Sequence, residues 1–77
     1  MNQNNINNIA MGTVIEALPN TLFKVDLGEE IKDEKKRFVL SYLAGKMRIH
    51  RIKVLVGDRV EVILDPYGGK GRIIRRN

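Results

Sequence analysis

GKMRIHRIKVLVGD, residues 45–58, decides how this chain is read. Between Lys46 and Lys53 it carries four positive charges and no acid. It then reaches a Val-Gly-Asp turn at residues 56–58 and runs into RVEVILD, residues 59–65. There Val60, Val62 and Leu64 point one way and Arg59, Glu61 and Ile63 the other, the period of a half-buried strand. On its other side lies FVLSYL, residues 38–43, with Phe38, Leu40 and Tyr42 on one face and Val39, Ser41 and Leu43 on the opposite one. The basic stretch is therefore a crossover between two strands, with room for one helical turn at residues 45–49.

Working outward, MGTVIEAL (residues 11–18) is short and β-branched, but its alternation is imperfect and leaves its inward face undecided. Pro19-Asn20 supplies a turn, since Pro presets φ and Asn tolerates the left-handed region. LFKVDL, residues 22–27, alternates cleanly, with Phe23, Val25 and Leu27 on one face. The two segments form a hairpin. GEEIKDEKKR, residues 28–37, holds four acids, four bases and one apolar residue. It reads as a long solvated hairpin loop in preference to a short helix, although Glu29 and Glu30 lie at helical spacing from Asp33 and Lys36. Its signs nearly cancel, which makes it a poor anion-binding face. After strand four, PYGGKG (residues 66–71) is a Pro/Gly loop, and RIIRR (residues 72–76) closes as a fifth strand.

These elements predict an all-β chain: a five-stranded Greek-key OB-fold barrel with a short helical turn between strands 3 and 4. An SH3-like barrel is the structural runner-up. Residues 1–10 hold five Asn and one Gln. They bury too little apolar area to offset their ordering entropy, and are expected to form a flexible Asn-rich N-terminal tail. Residues 11–77 are expected to form one OB-fold RNA-binding domain.

With 77 residues there is room for one small domain, which buries roughly 60% of the surface its unfolded chain exposes. There is no Cys and only one His, which excludes disulfide staples, Cys-based zinc sites and His-rich metal sites. Stability must come from apolar packing. No apolar run approaches the ~20 residues of a membrane span, and MNQNNINNIA lacks the pattern of a signal peptide. The chain is expected to be cytoplasmic, unexported and without membrane contact.

Catalytic logic is absent. His50 has no carboxylate fixed beside it, and a general base needs a positioned partner. Gly69-Lys70 is followed by Gly71 and has Leu64 where a phosphate-binding Walker loop needs its first Gly. Gly45-Lys46 is followed by Met47 and has Leu40 at that place. The acids of residues 29–34 lack calcium-loop spacing. The chain is expected not to be an enzyme and to need no cofactor.

Charge is what remains. Residues 1–36 hold four Lys/Arg against six Asp/Glu, a net −2, while residues 37–77 hold ten against three, a net +7. That asymmetry points to a polyanion, with nucleic acid ahead of acidic membrane or protein. The cations fall in two clusters: Lys46, Arg48, Arg51 and Lys53, then Lys70, Arg72, Arg75 and Arg76. Arg can fork onto phosphate or base edges and stack on bases. The aromatics are only Phe23, Phe38, Tyr42 and Tyr67. Tyr42 and Tyr67 are the candidate base-stacking residues, too few for the aromatic stripe of a single-strand binder. Met47, between two cations, is either an apolar contact or a gap-filler. The composition favours recognition of a folded RNA surface by shape and charge.

GTVIEALPNTLFKVDL, GKMR, IKVLVGDRVEV, DPY and KGRI follow one another in an order that resembles bacterial translation initiation factor one, over most of residues 11–74. The resemblance implies a single OB-fold without enzymatic activity or cofactor, a monomer away from the ribosome. It implies docking at the acceptor site of the small ribosomal subunit through rRNA and a ribosomal protein near the decoding site. Elongator tRNA would thereby be kept out and initiation factors two and three supported. By motif it puts Lys46, Met47 and Arg48 in the loop set against RNA, Lys53 at a basic position before the turn, and Arg72 and Arg76 in the last basic strand. The chain departs from the family pattern in its longer, more charged residues 28–37. It also has Arg51 and Arg75 where aromatics are common, and Tyr42 where His is common. A general cold-shock-like RNA chaperone is the alternative.

Overall fold

Alternation along the second and fourth apolar segments decides where the core forms. In the computed structural model, which describes residues 8–77, five strands close into a barrel in the order β1-β2-β3-β5-β4. They are β1 (Ile9–Ala17), β2 (Phe23–Asp26), β3 (Phe38–Leu43), β4 (Arg59–Ile63) and β5 (Gly71–Arg76). One-turn helices α1 (Glu34–Arg37) and α2 (Gly45–Ile49) precede and follow β3. All pairings are antiparallel except β3 with β5, and β1 pairs with both β2 and β4, which closes the barrel. This is the OB-fold arrangement rather than the SH3-like one, with the helical turn between β3 and β4 as expected.

Val14, Val25, Val60, Val62 and Ile73 form the interior, with Phe23, Leu27, Leu43 and Leu64 packed against them. Val25 and Val62 thus sit on the faces their alternation predicts. On β3 the inner face is that of Val39, Ser41 and Leu43, with Ser41 fully buried. Ser41 lies inside because β5 crosses close beside it. A Cβ on Gly71 would stand 2.8 Å from the Ser41 Oγ and 2.6 Å from a Val62 methyl, so only Gly lets the strands approach.

The chain enters β1 earlier than expected. Ile9 pairs with Ile63 and Ala10 with Val62, and the Leu64 N–H donates to the Asn8 carbonyl at 2.8 Å. β1 is long because its first half pairs with β4 and its second half with β2. The tail expected over residues 1–10 therefore gives up Ile9 and Ala10 to the sheet. Residues 1–7 lie outside the described residues. In the first hairpin the turn falls at residues 18–22 as predicted, but the left-handed residue is Thr21 (φ 65°), not Asn20.

Residues 28–37 combine both readings. A turn closes with the Ile31 N–H donating to the Gly28 carbonyl at 3.2 Å. Asp33 then caps α1, its side chain accepting from the Lys35 N–H at 2.9 Å. Arg37 ends the segment by forking onto Asp26, Nε–Oδ1 2.7 Å and Nη2–Oδ2 2.9 Å. That guanidinium, then the Gly28 N–H, lowers the Asp26 pKa from its ordinary 3.8 to about 2. The carboxylate in turn raises the Arg37 pKa.

Candidate nucleic-acid interface

α2 begins where the Ala44 N–H donates to the Ile73 carbonyl of β5 at 2.9 Å. This bond ties the basic crossover to the second basic strand. Met47 then drops into the end of the barrel, where it is only 1% exposed and belongs to the core. It is thus the gap-filler of the two readings, and not the RNA contact the motif suggested. A helix puts successive side chains about 100° apart, so burying Met47 leaves Lys46 and Arg48 on the outer side. Both are exposed.

The helix stops in a Schellman arrangement. The Ile52 N–H donates to the Met47 carbonyl at 3.0 Å and the Arg51 N–H to the Arg48 carbonyl at 3.1 Å. The residue that must turn left-handed there is usually Gly. Here it is Arg51, at φ 53°. An arginine in that conformation costs about 1–2 kcal/mol of backbone strain. Exposed Arg51 is therefore held by the helix end rather than by packing of its own side chain.

β5 brings up the second cluster. Its alternation puts Gly71 and Ile73 inside and Arg72 outside. Continued unbroken, it would point Arg75 inward. A bulge intervenes: Val62 faces Ile73, but Glu61 faces Arg75 and Val60 faces Arg76, leaving Ile74 unpaired. The extra residue shifts the phase and sends Arg75 to the outer face beside Glu61. Arg76 then reaches across, its Nη1 donating to the Lys53 carbonyl at 3.0 Å. The Ala44–Ile73 and Arg76–Lys53 bonds bring the Arg75–Arg76 end of β5 and the first cluster onto one surface.

Among the described residues the one salt bridge is Asp26–Arg37. Lys46, Arg48, Arg51, Lys53, Lys70, Arg72, Arg75 and Arg76 have no carboxylate within 4.0 Å and all are exposed. Lys70 and Arg72 stand toward the β4–β5 loop, where they line a shallow depression of about 270 Å³ with Tyr42 and Pro66. Tyr42 neighbours Arg72 in the parallel ladder and is 39% exposed. Tyr67 is 94% exposed in the loop and does not line that depression. The structure brings Tyr42 to the cations but does not pair the two tyrosines.

Two features escaped the reading of the sequence. Arg59 is exposed, bonds Thr13 Oγ1 at 3.1 Å, and accepts the Asn77 N–H on its carbonyl at 2.9 Å, which extends the cation surface past Arg76. Its place just after the Gly57-Asp58 turn, on the outward phase of β4, was the available signal. Ile49, Ile52, Leu55 and Val56 are also exposed beside the first cluster, so that surface is mixed aliphatic and cationic.

A model of the family of translation initiation factor 1A and IF-1 matches residues 2–77. The chain belongs to this family. It is similar to the solution structure of translation initiation factor one from the Wolbachia endosymbiont strain TRS of Brugia malayi. The two are 36% identical over 90% of this chain and 76% of that one, with a TM-score of 0.67. YjeQ from Thermotoga maritima is 29% identical over 90% of this chain, TM-score 0.69. YloQ, a circularly permuted GTPase, is 21% identical over all of this chain, TM-score 0.75, and shares the fold. The chain spans only 22% of YjeQ and 25% of YloQ, against most of the Wolbachia factor. Membership of the IF-1 family makes this a translation initiation factor with an RNA-binding barrel and a ribosome-associated role. No helix among the described residues is long and apolar enough to cross a membrane.

Proposed function

We propose that the chain docks at the acceptor site of the small ribosomal subunit, with its cations against rRNA and its aliphatic neighbours against a ribosomal protein near the decoding site. Occupancy excludes elongator tRNA and supports initiation factors two and three. The chain acts by filling the site, without catalysis or cofactor, as a cytoplasmic monomer that leaves the ribosome afterwards. The observation that carries this reading is the joined surface of Lys46, Arg48, Arg51, Lys53, Arg75 and Arg76, none of which is held in a salt bridge. Arg75 and Arg76 stand on β5, and Lys46 and Arg48 on the turn that Met47 anchors to the barrel, so little of their backbone needs ordering when they meet phosphates. Lys70, Arg72 and Tyr42 extend the surface, with Tyr42 offering one ring for stacking and Tyr67 a second from the loop.

The test is binding of labelled protein to purified small subunits across a salt series, with excess short single-stranded RNA as competitor. Saturable one-to-one binding that resists the competitor is expected. With ~4–6 phosphate contacts, affinity should fall with a log–log salt slope of roughly −3 to −5. Lys46→Ala with Arg48→Ala should abolish binding while the barrel stays folded, because both side chains are exposed. Competitor-sensitive, non-saturating binding would instead assign the chain to general RNA chaperoning.

A further inference from the structure

α2 covers one end of the barrel. The other end is built from the finish of β2, the start of β3 and the β4–β5 loop, and there a cavity of about 730 Å³ stands open. Its floor is Leu27, Phe38, Val39, Leu40 and Leu64, with Ile31 leaning in from the loop before α1. Its rim is Lys35 and Lys36 on α1 and Lys70 opposite. The one acid lining it, Asp65, is already satisfied by the Tyr67 N–H at 2.9 Å and the Gly69 N–H at 3.1 Å. None of the three lysines has a carboxylate within 4.0 Å. An apolar floor inside a ring of free cations is complementary to an apolar ligand bearing negative charge.

We propose that this groove docks an acidic segment of a protein partner, with an aliphatic or aromatic side chain on the floor and carboxylates on the lysine rim. RNA fits less well. Of the charged residues of 28–37 only Lys35 and Lys36 line the groove and Glu29, Glu30 and Glu34 do not, so a short run of carboxylates can sit on the rim where a strand with a phosphate at every nucleotide would run on into those acids. The floor also offers no free stacking platform, because Phe38 already carries Lys24 at 5.3 Å and Arg37 at 4.9 Å from its ring centre. The chain's own N-terminus fits less well too. It enters the barrel beside Leu64, but residues 1–7 contain no acid to match the rim. The groove lies at the opposite end from α2, and of the cations proposed to meet the small subunit only Lys70 also stands on its rim.

The test uses the full chain and a labelled synthetic peptide built only of aspartate, leucine and phenylalanine, followed by methyl NMR. Saturable binding should shift the methyls of Leu27, Ile31, Leu40 and Leu64. Replacing every aspartate of the peptide by asparagine should weaken it roughly tenfold, as should Lys35→Glu with Lys36→Glu. Lys70→Glu, in the other loop, should do the same and serves if α1 unravels. Lys46→Ala with Arg48→Ala should leave peptide binding unchanged. Absence of saturable binding, or indifference to the lysine reversals, would overturn the proposal. So would shifts centred on Ile49 and Ile52, or stronger shifts of the groove methyls by a short RNA. Binding that appears only after residues 2–7 are deleted would assign the groove to the chain's own segment and overturn it equally.

Discussion

The two ends of the barrel are finished in opposite ways. At one end α2 drives Met47 into the core and turns Lys46 and Arg48 outward. At the other, α1 buries no residue, and its lysines stand around an open apolar groove. Both helices are one turn long, and both carry bases in their last turn. What separates them is one large apolar side chain at the centre of α2, where α1 has only charged residues. A single buried anchor turns a basic turn into a rigid plug; without one, the same length of helix is a rim.

The largest test of that contrast is Met47→Ala. It should cost ~2–5 kcal/mol in chemical denaturation, while Met47→Leu should cost less than about 1.5 kcal/mol. If Met47→Ala left stability untouched and removed only RNA binding, the plug would be misassigned. Next comes Arg51→Gly at the end of α2. It relieves the left-handed arginine and should stabilise the barrel by about 0.5–1 kcal/mol, net of glycine's greater entropy in the unfolded chain. The same change should weaken binding to the small subunit. Movement of stability and binding in opposite directions would mark Arg51 as a residue kept for contact at the expense of the fold.

At the open end, Leu40 is 43% exposed, so Leu40→Ala should cost less than about 1 kcal/mol, in contrast to Met47→Ala. A loss as large as that of Met47→Ala would mean the groove is part of the core. The smallest expected effect is electrostatic. Asp26 binds protons more weakly folded than unfolded, so its contribution to stability is present above pH 3.8 and is lost as pH falls toward about 2. Asp26→Asn should remove that part of the acid limb of a stability–pH curve and leave the neutral end less stable. Identical acid limbs in the two proteins would refute the Asp26–Arg37 contribution.

The faces of Val25, Val60 and Val62 were legible because strand alternation has a period of two and nothing interrupts it there. Arg75 was legible as a cation, but its outward direction depends on the bulge at Ile74, and no residue type announces a bulge. Glu16 shows the same effect. A register shift between Val14 and Glu16 leaves Ile15 40% exposed and pairs Glu16 with Lys24, which is why β1 alternates imperfectly. Met47 was ambiguous because a methionine between two cations reads alike as plug or contact. The groove was not legible at all, since it joins residues from α1, β3 and the loops that follow β2 and β4.

Composition and order of residues were enough to specify a five-stranded basic barrel, because period, turn chemistry and charge are local properties. Which cations share a surface was settled in three dimensions. β5 lies against the start of α2 through the Ala44–Ile73 bond, and Arg76 reaches the Lys53 carbonyl. Both are long-range contacts made by barrel closure, and closure is a property of the whole sheet rather than of any segment in it.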